Sequence, residues 1–279
     1  MPVPSSISQP NSLKPELESA DHFPKKRLGQ HFLKDPNTAR IVAENVNGED
    51  VVLEVGPGRG FLTSFLAGQA KHVHAVELDT DLLPTLQETA DKHGNVQIHP
   101  GDALTFDYSS LRPEPCKLAA NLPYNVASPL ILKLLEDQHC IKVMRFMVQF
   151  EVARRMAAER GTKDYSAYAV LLQLRATVKI EHKVSPLVFD PPPRVHSAVV
   201  ELRQRETDLK PGEYEGVKRL VLAAFRSRRK RLVNNLPEPV RREAPQILSK
   251  MGQSPDARAE EIPPEDFVEL YRALAWALR

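Results

Sequence analysis

Short apolar runs alternate with amphipathic segments from about residue 37 to residue 160. The apolar runs are predicted as strands, over Val51–Val55, His72–Glu77, Val96–His99, Lys117–Ala120 and Lys142–Phe150. The amphipathic segments are predicted as helices, over Asn37–Val46, Phe61–Gln69, Asp81–Lys92, Pro129–Asp137 and Glu151–Glu159. Strands that alternate with helices in this way predict an α/β fold with a parallel sheet covered on both faces.

The pattern changes after about residue 175. Ala176–Val184 and His196–Arg203 are β-rich runs separated by Pro186 and the proline turn at 191–193, with no helical pattern between them. They predict an antiparallel hairpin that closes the sheet. Beyond Glu206 the pattern is helical again, and helices are predicted over Tyr214–Arg226, Val240–Lys250 and Pro264–Leu278.

These patterns divide the chain into three predicted parts. Residues 1–22 are rich in Pro, Ser and Asn and lack periodicity, which predicts a disordered tail. Residues 23–205 are predicted to form a Rossmann-like α/β domain that ends in the antiparallel hairpin. Residues 206–279 are predicted to form a small C-terminal helical domain.

The composition is ordinary for a soluble globular protein, since 42% of the 279 residues are hydrophobic and 27% are charged. No stretch approaches the roughly 18 apolar residues that a membrane helix needs, and the first residues lack the basic start and apolar run of a secretory signal. Cys116 and Cys140 are isolated and lack metal-ligand spacing. We therefore expect a cytoplasmic protein with reduced core cysteines, no membrane partner and no metal site.

The net charge of +2 says less than its distribution. Between Val217 and Arg242 the only acid is Glu238, whereas the basic residues are Lys218, Arg219, Arg226, Arg228, Arg229, Lys230, Arg231, Arg241 and Arg242. Such an excess is typical of a surface that binds a polyanion, but a solvated helix face has the same charge pattern. The candidate RNA-binding residues are Arg226, Arg228, Arg229, Lys230 and Arg231.

A nucleotide site is predicted at the ends of the first three strands. The first runs into Gly56-Pro57-Gly58-Arg59-Gly60, whose glycines allow a tight turn and close backbone approach to a ligand. Their spacing differs from the G-x-G-x-x-G that fits a pyrophosphate, and no P-loop is present. Glu77 ends the next strand, where it can accept both ribose hydroxyls, and Asp102 follows the third, where it can accept from an adenine amino group. An adenosine held by two acids indicates S-adenosylmethionine rather than NAD or ATP, and hence a class I methyltransferase sheet.

The fourth predicted strand ends in Asn121-Leu122-Pro123-Tyr124. The Asn121 side-chain oxygen and the Leu122 carbonyl could accept the two hydrogens of an adenine amino group and so aim its nitrogen at a methyl group. Pro123 stiffens the turn, and Tyr124 offers a ring on which a base can stack. The competing interpretation is a rigid turn in which Asn121 only satisfies backbone groups. Phe189 is a candidate second stacking ring, or else a hydrophobic plug.

With these residues placed, the chain resembles the bacterial small-subunit rRNA adenine dimethyltransferase A family (KsgA-type) from about residue 25 to residue 278. The matching blocks are Leu28–Leu33, Glu54–Gly58, Glu77–Asp79, Gly101–Ala103, Asn121–Asn125, Phe189–Val195, Ser197–Val200, Ala224–Phe225, Arg228–Lys230 and Asn234–Leu236. The blocks after residue 188 are the specific ones, because most methyltransferases share the glycine loop.

The resemblance implies dimethylation of two adjacent adenosines in the 3′-terminal hairpin loop of 16S rRNA, during assembly of the small ribosomal subunit, by a monomer. It also implies a cofactor pocket lined by His31, Leu33, Gly56, Gly58, Glu77, Asp102 and Asn121. The sequence departs from the family pattern where His31 replaces the usual Asn, His196 replaces Asp and Ala127-Ser128 replaces Ser-Ser. At His31 the resemblance therefore carries over only a contact through the backbone.

Three other functions fit part of the sequence. A 23S rRNA adenine methyltransferase of the macrolide-resistance type shares the Asn-x-Pro-Tyr motif, although the blocks around Phe189 and Asn234 favour the small-subunit enzyme. An RNA-binding assembly factor would need only the basic helical segment, but the intact motif argues against a purely binding role. A nicotinamide oxidoreductase is disfavoured by the glycine spacing and by the lack of a hydride-transfer constellation.

Overall fold

A computed structural model describes residues 24–25, 28–137, 140–210 and 212–275. The predicted disordered tail lies outside the described residues, as do Lys26 and Arg27 and the last residues of the helix predicted to end at Leu278.

Strands form one large and one small sheet. In chain order they are β1 (Phe32–Leu33), β2 (Val51–Val55), β3 (His72–Glu77), β4 (Val96–Pro100), β5 (Lys117–Asn121), β6 (Val143–Gln149), β7 (Ala176–Val184), β8 (Phe189–Asp190) and β9 (Ser197–Gln204). The large sheet has the order β4-β3-β2-β5-β6-β9-β7. Pairing is parallel from β4 to β6 and antiparallel between β6 and β9 and between β9 and β7. The predicted parallel sheet with an antiparallel end hairpin is confirmed.

The small sheet joins β1 to β8, with Leu33 opposite Phe189 and Phe32 opposite Asp190. The Lys34 N–H extends this pairing by donating to the Val188 carbonyl at 2.9 Å. It ties the segment before the first helix to the turn of the end hairpin. The sequence pattern did not predict this sheet, because two-residue strands are too short to show an alternation.

Helices connect the strands and form the C-terminal part of the chain. They are α1 (Pro36–Ala43), α2 (Phe61–Ala67), α3 (Leu83–His93), α4 (Ala127–Asp137), α5 (Phe150–Met156), α6 (Ala167–Gln173), α7 (Glu213–Ala224), α8 (Val240–Lys250) and α9 (Pro264–Leu274). Asp35 caps α1 by accepting from the Thr38 N–H at 2.8 Å. Helix α6 was not predicted, and Phe150, predicted as the last residue of a strand, is the first residue of α5. None of the described helices combines the length and the apolar character needed to cross a membrane.

The central strands are buried on both faces because helices cover both sides of the sheet. Leu53 and Leu118 point into one core, which α4 completes with Leu130 and Leu134. The residues next to them on the same strands, Val52 and Ala119, point to the other side, where α1 and α2 supply the packing. Side chains of a strand alternate between faces, so a strand covered on both faces is mostly apolar, and on β2 even the acid Glu54 is buried.

A third core holds the C-terminal helices together. It contains Phe267 and Leu270 of α9, Leu220 of α7 and Leu248 of α8. Helix α6, which precedes the end hairpin, contributes Ala169, Val170 and Leu171 to the same core, and the Tyr165 hydroxyl donates to the Ile262 carbonyl at 3.0 Å. The C-terminal helices are therefore packed against a segment on the amino side of residue 205. The division of the chain at residue 205 stays a prediction.

Candidate active site

The carboxyl ends of β2, β3 and β5 open into a cavity of about 1030 Å³, including its mouth. Its wall contains every residue predicted to bind the cofactor and the whole predicted reacting motif. They are His31, Leu33, Gly56, Gly58, Glu77, Asp102, Asn121, Leu122, Pro123 and Tyr124. Parallel strands place their carboxyl ends on one edge, which explains how residues far apart in the chain meet here.

The glycine turn after β2 has a conformation that favours glycine. Gly56 and Gly58 have φ values of +68° and +61°, in the left-handed region. A Cβ on Gly56 would lie 3.1 Å from Cδ of Pro123, and one on Gly58 would lie 2.9 Å from the Phe32 ring. The glycine turn is therefore packed directly against the Asn121–Tyr124 turn on one side and against β1 on the other.

Glu77 ends β3 with a buried carboxylate that already orders the site. Its Oε2 accepts from the Gly58 N–H at 3.0 Å and its Oε1 accepts from the Asp79 N–H at 2.7 Å. Burial raises the pKa of Glu77 above its ordinary value, and the two backbone N–H groups oppose that rise. Each oxygen keeps a further lone pair, so this carboxylate can still accept from a pair of hydroxyls.

Asp102 follows β4 on the same edge of the sheet. It is exposed at the cavity wall, and its Oδ1 accepts from the Leu104 N–H at 2.9 Å. This bond within the turn holds the carboxylate beside the end of β4. The sequence predicted an acid at this place that accepts from an adenine amino group.

Glu54 is a cavity residue that was not predicted as a site residue. It lies on β2, is 1% exposed, and its Oε2 has no hydrogen-bond partner. Burial raises the pKa of Glu54 to about 8, and the nearby Glu77 carboxylate adds to the rise. Its place in a predicted strand indicated only a core residue. The pairing of β2 with β3 shows that its carboxyl lies at the cavity floor, close to that of Glu77.

Replacing Glu54 with Gln is expected to remove a pH dependence of stability. The carboxyl is protonated in the folded state below about pH 8 but ionises at about 4.5 when unfolded. Between about pH 4.5 and pH 8 the folded state therefore binds more protons than the unfolded state. The free energy of unfolding of the wild type falls as the pH rises through this range, by up to about 1.4 kcal/mol per pH unit. Denaturant unfolding at pH 5.5 and pH 8.5 measures the fall. Glu88→Gln, at an exposed position on α3, should keep the wild-type slope; an unchanged slope in Glu54→Gln would contradict the prediction.

Asn121 ends β5 with its side chain oriented by the N-terminal segment. Its Nδ2 donates to the backbone carbonyl of His31 at 3.0 Å. A carbonyl can only accept, so the bonded atom must be the amide nitrogen, and the Oδ1 is left as the acceptor. The residue is half-buried on the cavity wall. It can therefore accept a hydrogen bond from a polar ligand group in the cavity.

The turn after Asn121 is held on both sides. The Leu122 N–H donates to the Met147 carbonyl of β6 at 3.3 Å, and the Pro123 carbonyl accepts from the N–H groups of Val126 and Ala127, both at 3.1 Å. The first bond fixes the turn to the sheet and the others begin α4. The Leu122 backbone is therefore presented to the cavity from a rigid support.

The Tyr124 ring lies on the cavity wall, anchored at its hydroxyl. That hydroxyl is 2.6 Å from Oγ of Ser197, a fully buried residue of β9, and burial raises the pKa of Tyr124. The His31 ring lies 5.7 Å from the Tyr124 ring, and its Nδ1 is 2.7 Å from the Pro191 carbonyl. Ser197 was not predicted as a site residue, since only the fold brings β9 beside this turn.

Phe189 does not line the cavity with the other candidates. Its side chain is fully buried in the core beneath the small sheet, opposite Leu33. In this arrangement it packs as a hydrophobic plug, and stacking on a base would require the ring to leave the core. Its stacking role stays a prediction.

The candidate RNA-binding cations fall into two groups. Arg228 pairs with Glu260 at 2.8 Å, and Arg231 pairs with Asp256, also at 2.8 Å. Arg226, Arg229 and Lys230 are exposed, and no described carboxylate lies within 4.0 Å of their charged groups. The sequence could not separate the groups, because the acids lie 25 or more residues further along the chain. In the described ranges no cluster of three or more His, Cys, Asp or Glu side chains could hold a metal ion.

The sheet order, the glycine turn after β2 and the acid at the end of β3 define a class I methyltransferase fold. The solved structure of a dimethyladenosine transferase from Plasmodium falciparum is similar, with a TM-score of 0.76 and 25% identity over 88% of this chain and 98% of that chain. The structure of the 23S rRNA methyltransferase ErmE has a TM-score of 0.69 and 28% identity over 88% of this chain and 99% of that chain.

Sequence comparison narrows the class to a family. Residues 22–275 match the family described as ribosomal RNA adenine dimethylase. A ribosomal RNA small subunit methyltransferase A from Rubrobacter xylanophilus is 61% identical over 263 residues, which cover 94% of this chain and 100% of that protein. The chain belongs to the ribosomal RNA adenine dimethylase family.

Proposed function

We propose that this protein transfers methyl groups from S-adenosylmethionine to the N6 amino groups of two adjacent adenosines in the 3′-terminal hairpin loop of 16S rRNA. It acts in the cytoplasm, as a monomer, on the small subunit during assembly. The observation that carries the proposal is the Asn121 amide, oriented by His31 on the wall that also holds Glu77 and the glycine turn. The relative from Rubrobacter xylanophilus supports the small-subunit substrate.

The cavity residues fit S-adenosylmethionine. The left-handed Gly56 and Gly58 form a tight turn that lines the cavity, and Glu77 can accept from two ribose hydroxyls. Asp102 is suited to the adenine amino group. Among the residues that the structure describes, the cavity wall carries the carboxyl groups of Glu77 and Asp102 and no lysine, a lining that suits a cationic nucleoside better than one that carries phosphates. When bound, this cofactor supplies an electrophilic methyl group.

The residues of the Asn121–Tyr124 turn perform the alignment. The Asn121 Oδ1 and the Leu122 carbonyl accept from the two amino hydrogens, which directs the nitrogen lone pair into the cavity. The target base must be unstacked to enter, and the Tyr124 ring receives it with a stacking contribution of about 1–3 kcal/mol. Ser197 holds the Tyr124 hydroxyl and so limits rotation of the ring. Catalysis then consists mainly of alignment, which requires no strong base.

Two parts of the chain have separate tasks in this function. Residues 23–205 bind the cofactor and carry the chemistry, and residues 206–279 bind RNA. Within the basic segment, Arg226, Arg229 and Lys230 are the residues whose charges are available to phosphates. Arg228 and Arg231 would first have to leave their carboxylate partners.

Methyl mapping tests the proposed substrate directly. Unmethylated small and large subunits are incubated with the protein and labelled cofactor, and primer extension then locates the modified adenines. We expect stops at two adjacent adenosines of the 3′-terminal loop of the small-subunit RNA and none on the large-subunit RNA. Stops on the large-subunit RNA alone would favour a 23S rRNA methyltransferase activity like that of ErmE. The absence of label in both RNAs would favour an RNA-binding assembly factor without this activity.

Neutralising the two unpaired cations at 229 and 230 is expected to weaken RNA binding in a salt-dependent way. Each phosphate contact contributes about 0.7–0.9 to the slope of log K against log salt, so Arg229→Ala/Lys230→Ala should lower the slope by about 1.5. Fluorescence anisotropy with a labelled RNA hairpin at several salt concentrations measures it. Lys71→Ala/Lys92→Ala removes the same charge from exposed positions outside the segment and should keep the wild-type slope. An equal change in both variants would contradict the assignment.

A further inference from the structure

One buried carboxylate near the cavity is not used by the proposed chemistry. Asp79 follows β3, two residues after Glu77, and its side chain is only 1% exposed. Its backbone N–H donates to Oε1 of Glu77 at 2.7 Å. Asp79 is thus bonded directly to the carboxylate proposed to hold the ribose.

The Asp79 side chain binds the segment that forms one wall of the cavity. This segment, Leu28–Leu33, is named the N-terminal strap. The Gln30 Nε2 donates to Oδ2 of Asp79 at 2.7 Å, and the Lys25 ammonium donates to Oδ1. The Gln30 Oε1 in turn accepts from the Lys25 N–H at 2.7 Å. The Asp79 carboxylate therefore binds the strap directly through Gln30, and it also binds Lys25, which precedes the strap and contacts Gln30.

The far end of the strap reaches the reacting turn. The His31 carbonyl accepts from Nδ2 of Asn121, and Phe32 packs against Gly58. The strap is consequently connected to the glycine turn, to Asn121 and, through Asp79, to Glu77. Burial raises the pKa of Asp79, but its hydrogen-bond partners, Lys25 and Gln30 first among them, lower it by more. The pKa therefore lies below its usual value, and the carboxylate stays charged.

The proposed function gives this fastening a consequence. Dimethylation of two adenosines consumes four methyl groups, so the spent cofactor must leave and be replaced between transfers. Because the strap is a wall of the cavity, its fastening opposes that exchange. We propose that Asp79 is a positioning residue that holds the N-terminal strap closed over the cofactor and sets how long the cofactor stays bound.

Cofactor dissociation tests this inference, which rests on the proposed function. In Asp79→Asn the single amide oxygen can still accept from the Asp81 N–H. The amide is uncharged, and its nitrogen can only donate, so it cannot replace the carboxylate oxygen that accepts from Lys25 or from Gln30. Loss of a hydrogen bond to a charged group predicts that S-adenosylmethionine and S-adenosylhomocysteine dissociate about tenfold faster or more. Stopped-flow displacement on the full chain measures both rates. The KM for S-adenosylmethionine should rise by a larger factor than any fall in kcat at saturating cofactor.

Asp81→Asn is the matched control, because Asp81 also binds the Lys25 ammonium but is 61% exposed. An exposed ion pair contributes little, so its dissociation rates should stay within about twofold of the wild type. Gln30→Met removes the strap side of the bond and leaves Asp79 intact. It should accelerate dissociation, and its effect should not add to that of Asp79→Asn, since both variants break the same contact.

The outcomes separate this inference from the function on which it rests. A wild-type protein that binds no S-adenosylmethionine would overturn the proposed function itself. Binding by the wild type with unchanged dissociation in Asp79→Asn and Gln30→Met would overturn only the strap. Additive effects of the two substitutions, or a change confined to Asp79→Asn, would mean that Asp79 acts only through its bond to Glu77. Either result would also overturn the role of the strap.

Discussion

Replacing Asn121 with Ala is expected to slow methyl transfer by about 10²- to 10³-fold, the loss typical of removing one oriented polar group from a reacting centre. The variant loses the Oδ1 that accepts from the target amino group, and it also loses the bond to the His31 carbonyl. Single-turnover transfer of labelled methyl groups to immature small subunits measures the rate. Cofactor affinity, measured without RNA, should fall far less than the transfer rate, because the glycine turn and Glu77 remain.

Asn95→Ala is a control for the structural part of this effect. The Asn95 amide donates to the carbonyls of Ala67 and Ala70, at 2.9 and 3.0 Å, and does not line the cavity. Its replacement removes bonds of the same kind, so it should lower the free energy of unfolding without slowing transfer in the folded protein. Wild-type transfer by Asn121→Ala, or an equal loss in both variants, would refute the catalytic assignment.

The sequence was sufficient to predict the sheet and its carboxyl edge. The five residues of β2 are all buried and four of them are apolar, which is the pattern expected of a strand covered on both faces. The cavity residues Gly56, Glu77, Asp102 and Asn121 each follow or end a predicted strand. Because parallel strands end on one edge, their convergence followed from the topology alone.

The parts that were not predicted depend on contacts between distant residues. The charge run around Arg228 gave no indication of Glu260, which converts that arginine into an internal bridge. For Phe189 the sequence left a stacking ring and a hydrophobic plug both open, and only the pairing of β1 with β8 shows that the ring lies in the core. Asp79 belonged to a matching block, yet its bond to Gln30 crosses 49 residues of sequence. No local pattern contains such pairs.

Gly56→Ala is expected to impair both stability and transfer, because two separate constraints meet at this residue. A left-handed φ of +68° costs a residue with a Cβ about 1–2 kcal/mol. The new Cβ would also lie 3.1 and 3.2 Å from Cδ and Cγ of Pro123, so the proline ring must move by a few tenths of an ångström. Pro123 lies inside the reacting turn, and small misplacements there slow the reaction by about tenfold or more. Denaturant unfolding and single-turnover transfer measure the two effects.

Gly94→Ala separates the constraints, since Gly94 has a φ of +74° but nothing within 4 Å of the added Cβ. Its backbone strain should lower the free energy of unfolding by about 1–2 kcal/mol, the same loss that Gly56→Ala suffers from its backbone conformation alone. It should transfer methyl groups at the wild-type rate. The additional loss in Gly56→Ala then measures the contact between the glycine turn and Pro123. Equal stability losses together with wild-type transfer by Gly56→Ala would mean that the Pro123 ring yields without moving Asn121 or Leu122. The cofactor turn and the reacting turn would then be adjacent but mechanically independent.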